Sequence, residues 1–99
     1  MPSILTDGEI RDALARLDGW ALQERCLVKR FPFKSYMDGI RFVEMVAVDA
    51  ESRDHHPDLL VRYQDVTVFL STHSAGGVTR LDVESAGAIE KVGASFAGA

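Results

Sequence analysis

Three short sequences of the form Ser/Thr-x-x-Asp/Glu constrain most strongly what this chain can fold into. In each, a hydroxyl oxygen can cap the first turn of a helix, and the acidic side chain can return a hydrogen bond to the capping residue. Apolar residues then recur at spacings of three and four, which is the repeat of one helix face. The capping sequences run from Thr6 to Glu9, from Ser35 to Asp38 and from Thr79 to Asp82. The chain is therefore predicted to contain three helices.

The ends of the first two helices also have sequence signals. Asp18-Gly19 should end the first helix, because glycine suits the left-handed backbone that follows many helices. Pro57 disfavours helical geometry at His56, so the second helix should end at or before the histidine pair. The predicted apolar positions are Ile10, Ala13, Leu14 and Leu17 in the first helix, Ile40, Val43, Val46, Ala47 and Ala50 in the second, and Val83, Ala86, Ile89 and Val92 in the third.

Between the predicted helices the apolar repeat shortens to about two residues, the repeat of β-strands. Polar turns at Glu24-Arg25 and Tyr63-Gln64-Asp65 join four strands into two hairpins. The predicted strands run from Trp20 to Gln23, from Leu27 to Phe33, from Leu59 to Arg62 and from Val66 to Ser71. The order α-β-β-α-β-β-α predicts a single α+β domain over residues 1–99, with a four-stranded antiparallel sheet covered on one face by three helices.

Composition excludes several classes of protein. The net charge of −4 argues against a direct nucleic-acid binder, because such affinity depends on lysine and arginine neutralising phosphates. A single cysteine, Cys26, excludes an intramolecular disulfide and a thiolate-rich zinc site. The N-terminus lacks the basic start and apolar run of a signal peptide, and no stretch of eighteen apolar residues occurs. We therefore expect a cytoplasmic protein that does not span a membrane.

All three histidines, His55, His56 and His73, lie in one region of the sequence. Because the ordinary pKa of histidine is near neutrality, such a cluster favours proton-transfer chemistry. Glu51 precedes His55 by four residues, so on a continuing helix its carboxylate would orient the imidazole. Each residue alone also has a structural interpretation: Glu51 and His55 as an exposed helix-end pair, His56 as a loop residue, and His73 as a solvent-facing strand end.

The residues alone also bear on a possible zinc site and on the roles of Asp82 and Trp20. Two histidines and a third with a carboxylate could supply the ligands of a zinc ion, but adjacent histidines rarely converge on one metal and the spacing matches no familiar zinc motif, so no metal is predicted. Asp82 has a sufficient role as a helix cap. Trp20 is expected in the core or at a pocket edge, where its ring could stack on a planar heterocycle.

The spacing of these residues resembles the signature of the pterin-4a-carbinolamine dehydratases. The resemblance extends to most of the chain and implies the same α+β domain. It also implies homodimers or homotetramers in which sheets join edge to edge, and an apolar strand such as Val66 to Leu70 would need covering if it lay at an edge. The residues that carry it are Glu51-x-x-x-His55-His56-Pro57, Tyr63, His73 and Asp82, together with Leu17-Asp-Gly-Trp20, Phe31-Pro-Phe33 and the segment from Thr72 to Thr79.

The resemblance implies dehydration of 4a-hydroxytetrahydropterin to quinonoid dihydropterin, which recycles the cofactor of aromatic amino acid hydroxylases. The 4a-hydroxyl needs a proton donor and the ring N5 an acceptor, and no cofactor is required. The resemblance assigns His55 and His73 as the acid/base pair, His56 as the residue that binds and polarises the pterin, and Glu51 as the residue that orients His55. The implied pterin-binding residues are His55, His56, Pro57, Thr72, His73, Ser74 and Ala75, with Trp20 and Asp82 in addition.

The sequence departs from the family pattern at two positions. Ser74 stands where an acidic residue is frequent. Ser85 stands where an apolar residue is usual, so the third helix is expected either to pack less well or to meet a different neighbour. The resemblance also implies an alternative function, because similar animal proteins act as dimerisation cofactors of a homeodomain transcription factor. Such an interaction module would depend on a helix surface and not on the histidines.

Overall fold

The computed structural model describes residues 2–96 and contains the predicted order of elements. The α+β class and the order α-β-β-α-β-β-α are confirmed. The helices are α1 (Asp7–Leu14), α2 (Tyr36–Arg53) and α3 (Arg80–Ala94), and the strands are β1 (Ala21–Gln23), β2 (Cys26–Pro32), β3 (Asp58–Val61) and β4 (Asp65–Leu70). None of the helices formed by these residues is both long and apolar enough to cross a membrane.

The predicted caps fix where the helices begin. The hydroxyl of Thr6 accepts from the Glu9 N–H at 3.1 Å, and Glu9 accepts in return from the Thr6 N–H at 2.8 Å. The Ser35 hydroxyl likewise accepts from the Asp38 N–H at 3.1 Å. Helix α2 ends at Arg53, before the histidine pair, as Pro57 predicted. The next residue, Asp54, adopts a left-handed backbone with φ of 51°, which turns the chain sharply away from the helix axis.

The strand order in the sheet is β1-β2-β4-β3, and every neighbouring pair is antiparallel. The two hairpins join through β2 and β4, with Leu27 opposite Leu70 and Phe31 opposite Val66. The apolar strand β4 is therefore interior and needs no covering by another chain. The edges are instead β1 and the short strand β3, whose residues are mostly exposed.

One face of the sheet and the helices enclose the core. Val66, Val68 and Leu70 on β4 are fully buried. On α2, however, the buried stripe differs from the predicted one, because Ala47 is exposed and Phe42 is completely buried. Phe42 packs against the rings of Phe31 and Phe33, with centroids 4.8 and 5.0 Å away. The buried residues of α2 are Gly39, Phe42, Val46 and Ala50.

Helix α3 carries two buried polar side chains, Asp82 and Ser85, beside Ala86 and Ile89. Ser85 is 3% exposed, and its hydroxyl finds no hydrogen-bond partner within the described part of the chain. A buried polar group without a partner destabilises a folded protein. The Ser85 hydroxyl therefore destabilises the packing of α3 at a position where the sequence departs from the family pattern.

Candidate active site

The two segments that carry the histidines lie at the same end of the β3–β4 hairpin, because these strands are antiparallel. His55-His56-Pro57 immediately precede β3, and Ser71-Thr72-His73 immediately follow β4. The register places Asp58, the first residue of β3, opposite Phe69, near the end of β4. The start of one strand and the end of the other therefore lie side by side. The first turn of α3 brings Asp82 to the same place, where it contacts both segments.

His55 is held by a buried carboxylate. Its Nε2 lies 2.6 Å from Oδ1 of Asp82, with the His55 side chain 11% exposed and the Asp82 side chain 0% exposed. The other carboxylate oxygen, Oδ2, accepts from the Thr72 hydroxyl at 2.8 Å and from the Thr79 N–H at 2.9 Å. Hydrogen-bond donors therefore surround Asp82, which is the environment that a buried carboxylate requires.

This arrangement fixes the tautomer of His55. A carboxylate only accepts hydrogen bonds, so Nε2 of His55 carries the hydrogen that lies between the two groups. In the neutral imidazole the other nitrogen, Nδ1, is then the acceptor. Nδ1 is therefore the atom through which His55 can take a proton from a ligand, while Asp82 keeps the ring in one orientation.

The predicted pairing of Glu51 with His55 is wrong. Glu51 Oε2 instead lies 2.5 Å from Nε2 of His56, and both side chains are exposed. The prediction assumed a helix that continues through His55, but α2 ends at Arg53 and Asp54 reverses the backbone. That reversal directs His55 toward α3 and leaves Glu51 to the following histidine.

His73 is exposed and lines a cleft of about 500 Å³. The β1–β2 turn, residues Glu24 and Arg25, forms part of the same cleft wall, together with Cys26 and Ser71. The sequence predicted this turn but gave it no place in the site. It reaches His73 because β2 pairs with β4, and the sequence signal for each hairpin does not specify how the two hairpins pair.

Two predicted binding residues have structural roles instead. Trp20 is 6% exposed, its indole N–H donates to Glu90 at 2.6 Å, and its ring meets Phe31 edge-on at 6.1 Å. A buried ring has no face free to stack on a heterocycle. Thr72 is also buried: its hydroxyl donates to Asp82, and its N–H and C=O bind the backbone of the 75–77 turn. Thr72 therefore supports the site from within the protein.

The other predicted binding residues lie near the same end of the β3–β4 hairpin. Pro57 is half-buried between His56 and β3, and Ser74 is exposed just beyond His73. Ala75 lines a second cleft, next to the one that contains His73. Within residues 2–96, no three histidine, cysteine or acidic side chains are grouped closely enough to hold a metal ion.

The chain is similar to known proteins over most of its length. Residues 3–92 match the family model described as pterin 4 alpha carbinolamine dehydratase. A protein of Mycobacterium avium (strain 104), named provisionally as a pterin-4-alpha-carbinolamine dehydratase, is 48% identical over 84 residues, which cover 85% of this chain and 89% of that protein.

Two solved structures are also similar. A transcriptional coactivator/pterin dehydratase from Brucella melitensis has a TM-score of 0.89 and 35% identity, over 92% of this chain and 99% of that one. A pterin dehydratase-like RuBisCO assembly factor of the alpha-carboxysome is 21% identical, with a TM-score of 0.62 over 75% of this chain and 86% of that one. This second likeness shows the shared fold alone. From the family match and these relatives, the chain belongs to the pterin 4 alpha carbinolamine dehydratase family.

Proposed function

We propose that this protein catalyses the dehydration of 4a-hydroxytetrahydropterin to quinonoid dihydropterin. The observation that carries the proposal is the buried Asp82–His55 pair, which lies beside the segment that bears His73. Such a pair presents one nitrogen of an imidazole in a fixed orientation, which is what acid/base catalysis requires. Family membership supplies the substrate class.

The reaction needs two proton transfers and no change of oxidation state. The C4a–O bond breaks while the leaving hydroxyl gains a proton and departs as water. N5 loses its proton, and its electron pair forms the new double bond to C4a. His55, acting through Nδ1, and His73 form the acid/base pair of this proposal. One accepts the proton of N5, and the other donates a proton to the leaving hydroxyl.

His56 would complete the site as a binding residue. Its exposed ring pairs with Glu51 just before β3. A polar ligand can form hydrogen bonds with it there. In the cell, the substrate would come from an aromatic amino acid hydroxylase, since oxygen transfer from a tetrahydropterin leaves the 4a-hydroxyl adduct. We propose the cytoplasm as the location.

A stopped-flow dehydration assay tests the proposal. The substrate is freshly generated 4a-hydroxytetrahydropterin, and the variants are His55→Ala, His73→Ala and the pair combined. Each acid/base group contributes about 10²- to 10⁴-fold, so the double variant should retain no measurable acceleration over the spontaneous reaction. Single variants should lose less, because water or the second imidazole can carry a proton. Circular dichroism controls for folding, and an unchanged rate in a folded double variant would refute the assignment.

A second candidate function is protein binding through α2. Met37, Met45 and Val48 are large apolar residues on this helix and all are exposed. The similar Brucella melitensis protein is described as both a coactivator and a dehydratase, so the two functions are compatible. Binding that survives loss of both catalytic histidines but fails after charge is introduced on α2 would establish this second function.

A further inference from the structure

The hydroxyls of Thr72 and Thr79 form a buried hydrogen-bonded pair next to Asp82. The two oxygens lie 2.8 Å apart, and the residues are 5% and 0% exposed. The Thr72 hydroxyl also contacts Oδ2 of Asp82 at 2.8 Å, and the Thr79 hydroxyl accepts from the Leu81 N–H at 3.2 Å. A continuous chain of hydrogen bonds thus runs from the first turn of α3 to the carboxylate that holds His55.

The direction of each hydrogen in this chain follows from the acceptor at its end. A carboxylate only accepts, so the single hydroxyl hydrogen of Thr72 points to Asp82. Thr72 then has no hydrogen left for Thr79, so the Thr79 hydroxyl is the donor in the contact between the two threonines. Both hydroxyl hydrogens therefore point toward the carboxylate. Hydrogen bonds aligned in one direction strengthen each other.

Helix α3 begins with two of the same residues. Thr79 is its N-cap, and Oδ2 of Asp82 accepts from the Thr79 N–H at 2.9 Å, which completes a capping box. Helix α1 has a capping box too, but its residues, Thr6 and Glu9, contact each other at the protein surface. Helix capping alone therefore does not require burial. The box of α3 is buried, and its acid also binds His55.

We propose that the Thr79 hydroxyl is a positioning group for His55, acting through Thr72 and Asp82. The Thr79 hydrogen occupies the acceptor side of the Thr72 hydroxyl, so the Thr72 hydrogen stays on Asp82. With donors from both threonines on Oδ2, rotation of the carboxylate would break two hydrogen bonds. Oδ1 therefore stays directed at Nε2 of His55, and the imidazole keeps one orientation. For its effect on catalysis, this inference rests on the proposed function.

The backbone of Thr72 has a separate role, in the turn that begins at His73. Its N–H donates to the carbonyl oxygen of Gly77 at 2.9 Å, and its carbonyl oxygen accepts from the Ala75 N–H at 3.0 Å. These backbone bonds remain when only the hydroxyl is removed. Thr72→Val, which keeps the shape of the side chain, should therefore disturb His55 and leave the turn intact.

The first experiment observes the His55 ring without substrate. The hydrogen between Nε2 of His55 and Asp82 gives its own ¹H resonance in ¹⁵N-edited spectra, downfield of the backbone amides. Thr72→Val should broaden this resonance and move it upfield, because the carboxylate can then rotate. Thr79→Val should move it less, in the same direction. Thr72→Ser and Thr79→Ser keep the hydroxyls and should leave it in place.

Thr67→Val is the matched control for the loss of a threonine hydroxyl from this hairpin. Thr67 lies between the buried Val66 and Val68 on β4, so it faces the other side of the sheet. Its replacement should not move the His55 resonance. An unmoved resonance in Thr72→Val that is folded by circular dichroism would overturn the proposal, as would equal shifts in Thr67→Val and Thr72→Val.

The second experiment is a double-mutant cycle on kcat. Thr72→Val should lower kcat by about tenfold and Thr79→Val by about threefold, with KM changed less than about twofold. The combined variant should have the kcat of Thr72→Val alone, because the Thr79 hydroxyl acts only through Thr72. Two losses that multiply in the combined variant would contradict this order of action.

Thr6→Val controls for the loss of a helix cap. It removes the corresponding hydroxyl from the capping box of α1, so the free energy of unfolding should fall while kcat stays the same. Thr79→Val should lower both quantities, and Thr79→Ser should restore both. A fall in stability without a fall in kcat in Thr79→Val would show that Thr79 is a helix cap only.

The two experiments separate this proposal from the proposed function. If the chain does not accelerate dehydration, the catalytic function is refuted and the NMR spectra still decide the positioning role. If the chain accelerates dehydration and the threonine variants change neither the His55 resonance nor kcat, the catalytic function stands and the positioning role is refuted.

Discussion

At the scale of single residues, the decisive feature is the polar network around Asp82. The carboxylate orients His55 and is itself held by Thr72 and Thr79. The Glu51 carboxylate pairs with the exposed His56. The network therefore predicts that Asp82 matters more for catalysis than Glu51. The sequence indicated the opposite order, with Glu51 as the orienting residue and Asp82 as a helix cap.

Replacement of these two acids tests their roles. In Asp82→Asn the amide oxygen keeps the hydrogen bonds from Thr72 and Thr79, so the NH2 group faces Nε2 of His55 and the ring hydrogen moves to Nδ1. We therefore expect kcat to fall at least about 100-fold. Glu51→Gln should lower kcat by less than about tenfold, because its partner is the exposed rim residue. The ¹⁵N shifts of the His55 ring should change in Asp82→Asn and stay the same in Glu51→Gln. Equal kinetic losses, or an unchanged His55 spectrum in Asp82→Asn, would contradict the assignment.

Ser85 gives a stability prediction at the same scale. Ser85→Ala removes a buried hydroxyl that lacks a partner among the described residues, so the free energy of unfolding should rise by about 1 kcal/mol. Ser52→Ala is the comparison, because Ser52 is helical but exposed and its hydroxyl donates to the Asp49 carbonyl oxygen at 2.7 Å. Urea unfolding of both variants measures the difference. A gain no larger for Ser85→Ala than for Ser52→Ala would indicate that the Ser85 hydroxyl is satisfied.

At the scale of elements, α3 packs on β2 with no room for a side chain at Gly93. A Cβ there would lie 2.9 Å from Cε2 of Phe31, whereas a Cβ at Gly87 of the same helix would meet nothing within 4 Å. The two glycines therefore differ in what alanine would do. One is required by the contact with the sheet, and the other only lowers the helix propensity.

Alanine substitutions should move stability in opposite directions. Gly87→Ala should raise the free energy of unfolding by about 0.5 to 1 kcal/mol, because alanine is the better helix former. Gly93→Ala should lower it by about 1 kcal/mol, because overpacking against Phe31 exceeds the gain in propensity. Thermal or urea unfolding gives both values. Stabilisation by both substitutions would mean that the Phe31 ring moves aside freely.

At the scale of the whole molecule, α2 leaves apolar surface exposed. Met37, Met45 and Val48 are exposed by 52%, 44% and 68%, and their spacing places them along one side of the helix. Exposed apolar patches often mark interfaces. We propose that the protein bound by this face of α2 is a second copy of the chain, in place of the edge-to-edge joining of sheets that the family resemblance implies.

The oligomer can be tested in solution. We expect the unmodified chain to sediment as a dimer or tetramer, and Met45→Glu/Val48→Glu should shift it to a smaller species, because two charges would be buried in the interface. Arg80→Gln/Glu84→Gln, which removes an exposed ion pair on α3, is the control and should leave the size unchanged. Analytical ultracentrifugation distinguishes the species. An unmodified chain that sediments as a monomer would refute the proposal.

Much of the fold could be predicted because its signals are local. The caps at Thr6, Ser35 and Thr79 join residues only two or three positions apart, and the end of α2 follows from Pro57. The predicted buried stripe of α2 included Ala47 and omitted Phe42, although both residues fit an apolar helix face. The aromatic neighbours contributed by β2 and the adjoining Phe33 make Phe42 the buried one.

The site was only partly predictable for the same reason. The three histidines and Asp82 were identified from their spacing, but the partner of His55 was not. His55 and Asp82 are 27 positions apart, and Trp20 and Glu90 are 70 apart. No periodicity links residues so distant in sequence. The left-handed turn at Asp54 directs His55 to Asp82 and leaves Glu51 to pair with His56.

The sequence by itself determined the helices and hairpins and their order, because capping, turn formation and apolar periodicity act between near neighbours. The residues proposed to carry the chemistry came from the family resemblance. Only the tertiary structure decided which strands pair, which acid orients His55 and which turn lines the cleft at His73. Those contacts depend on how β2 docks against β4 and how α3 docks on the sheet. Docking is set by the packing of the whole core, so its outcome cannot be read from any single segment.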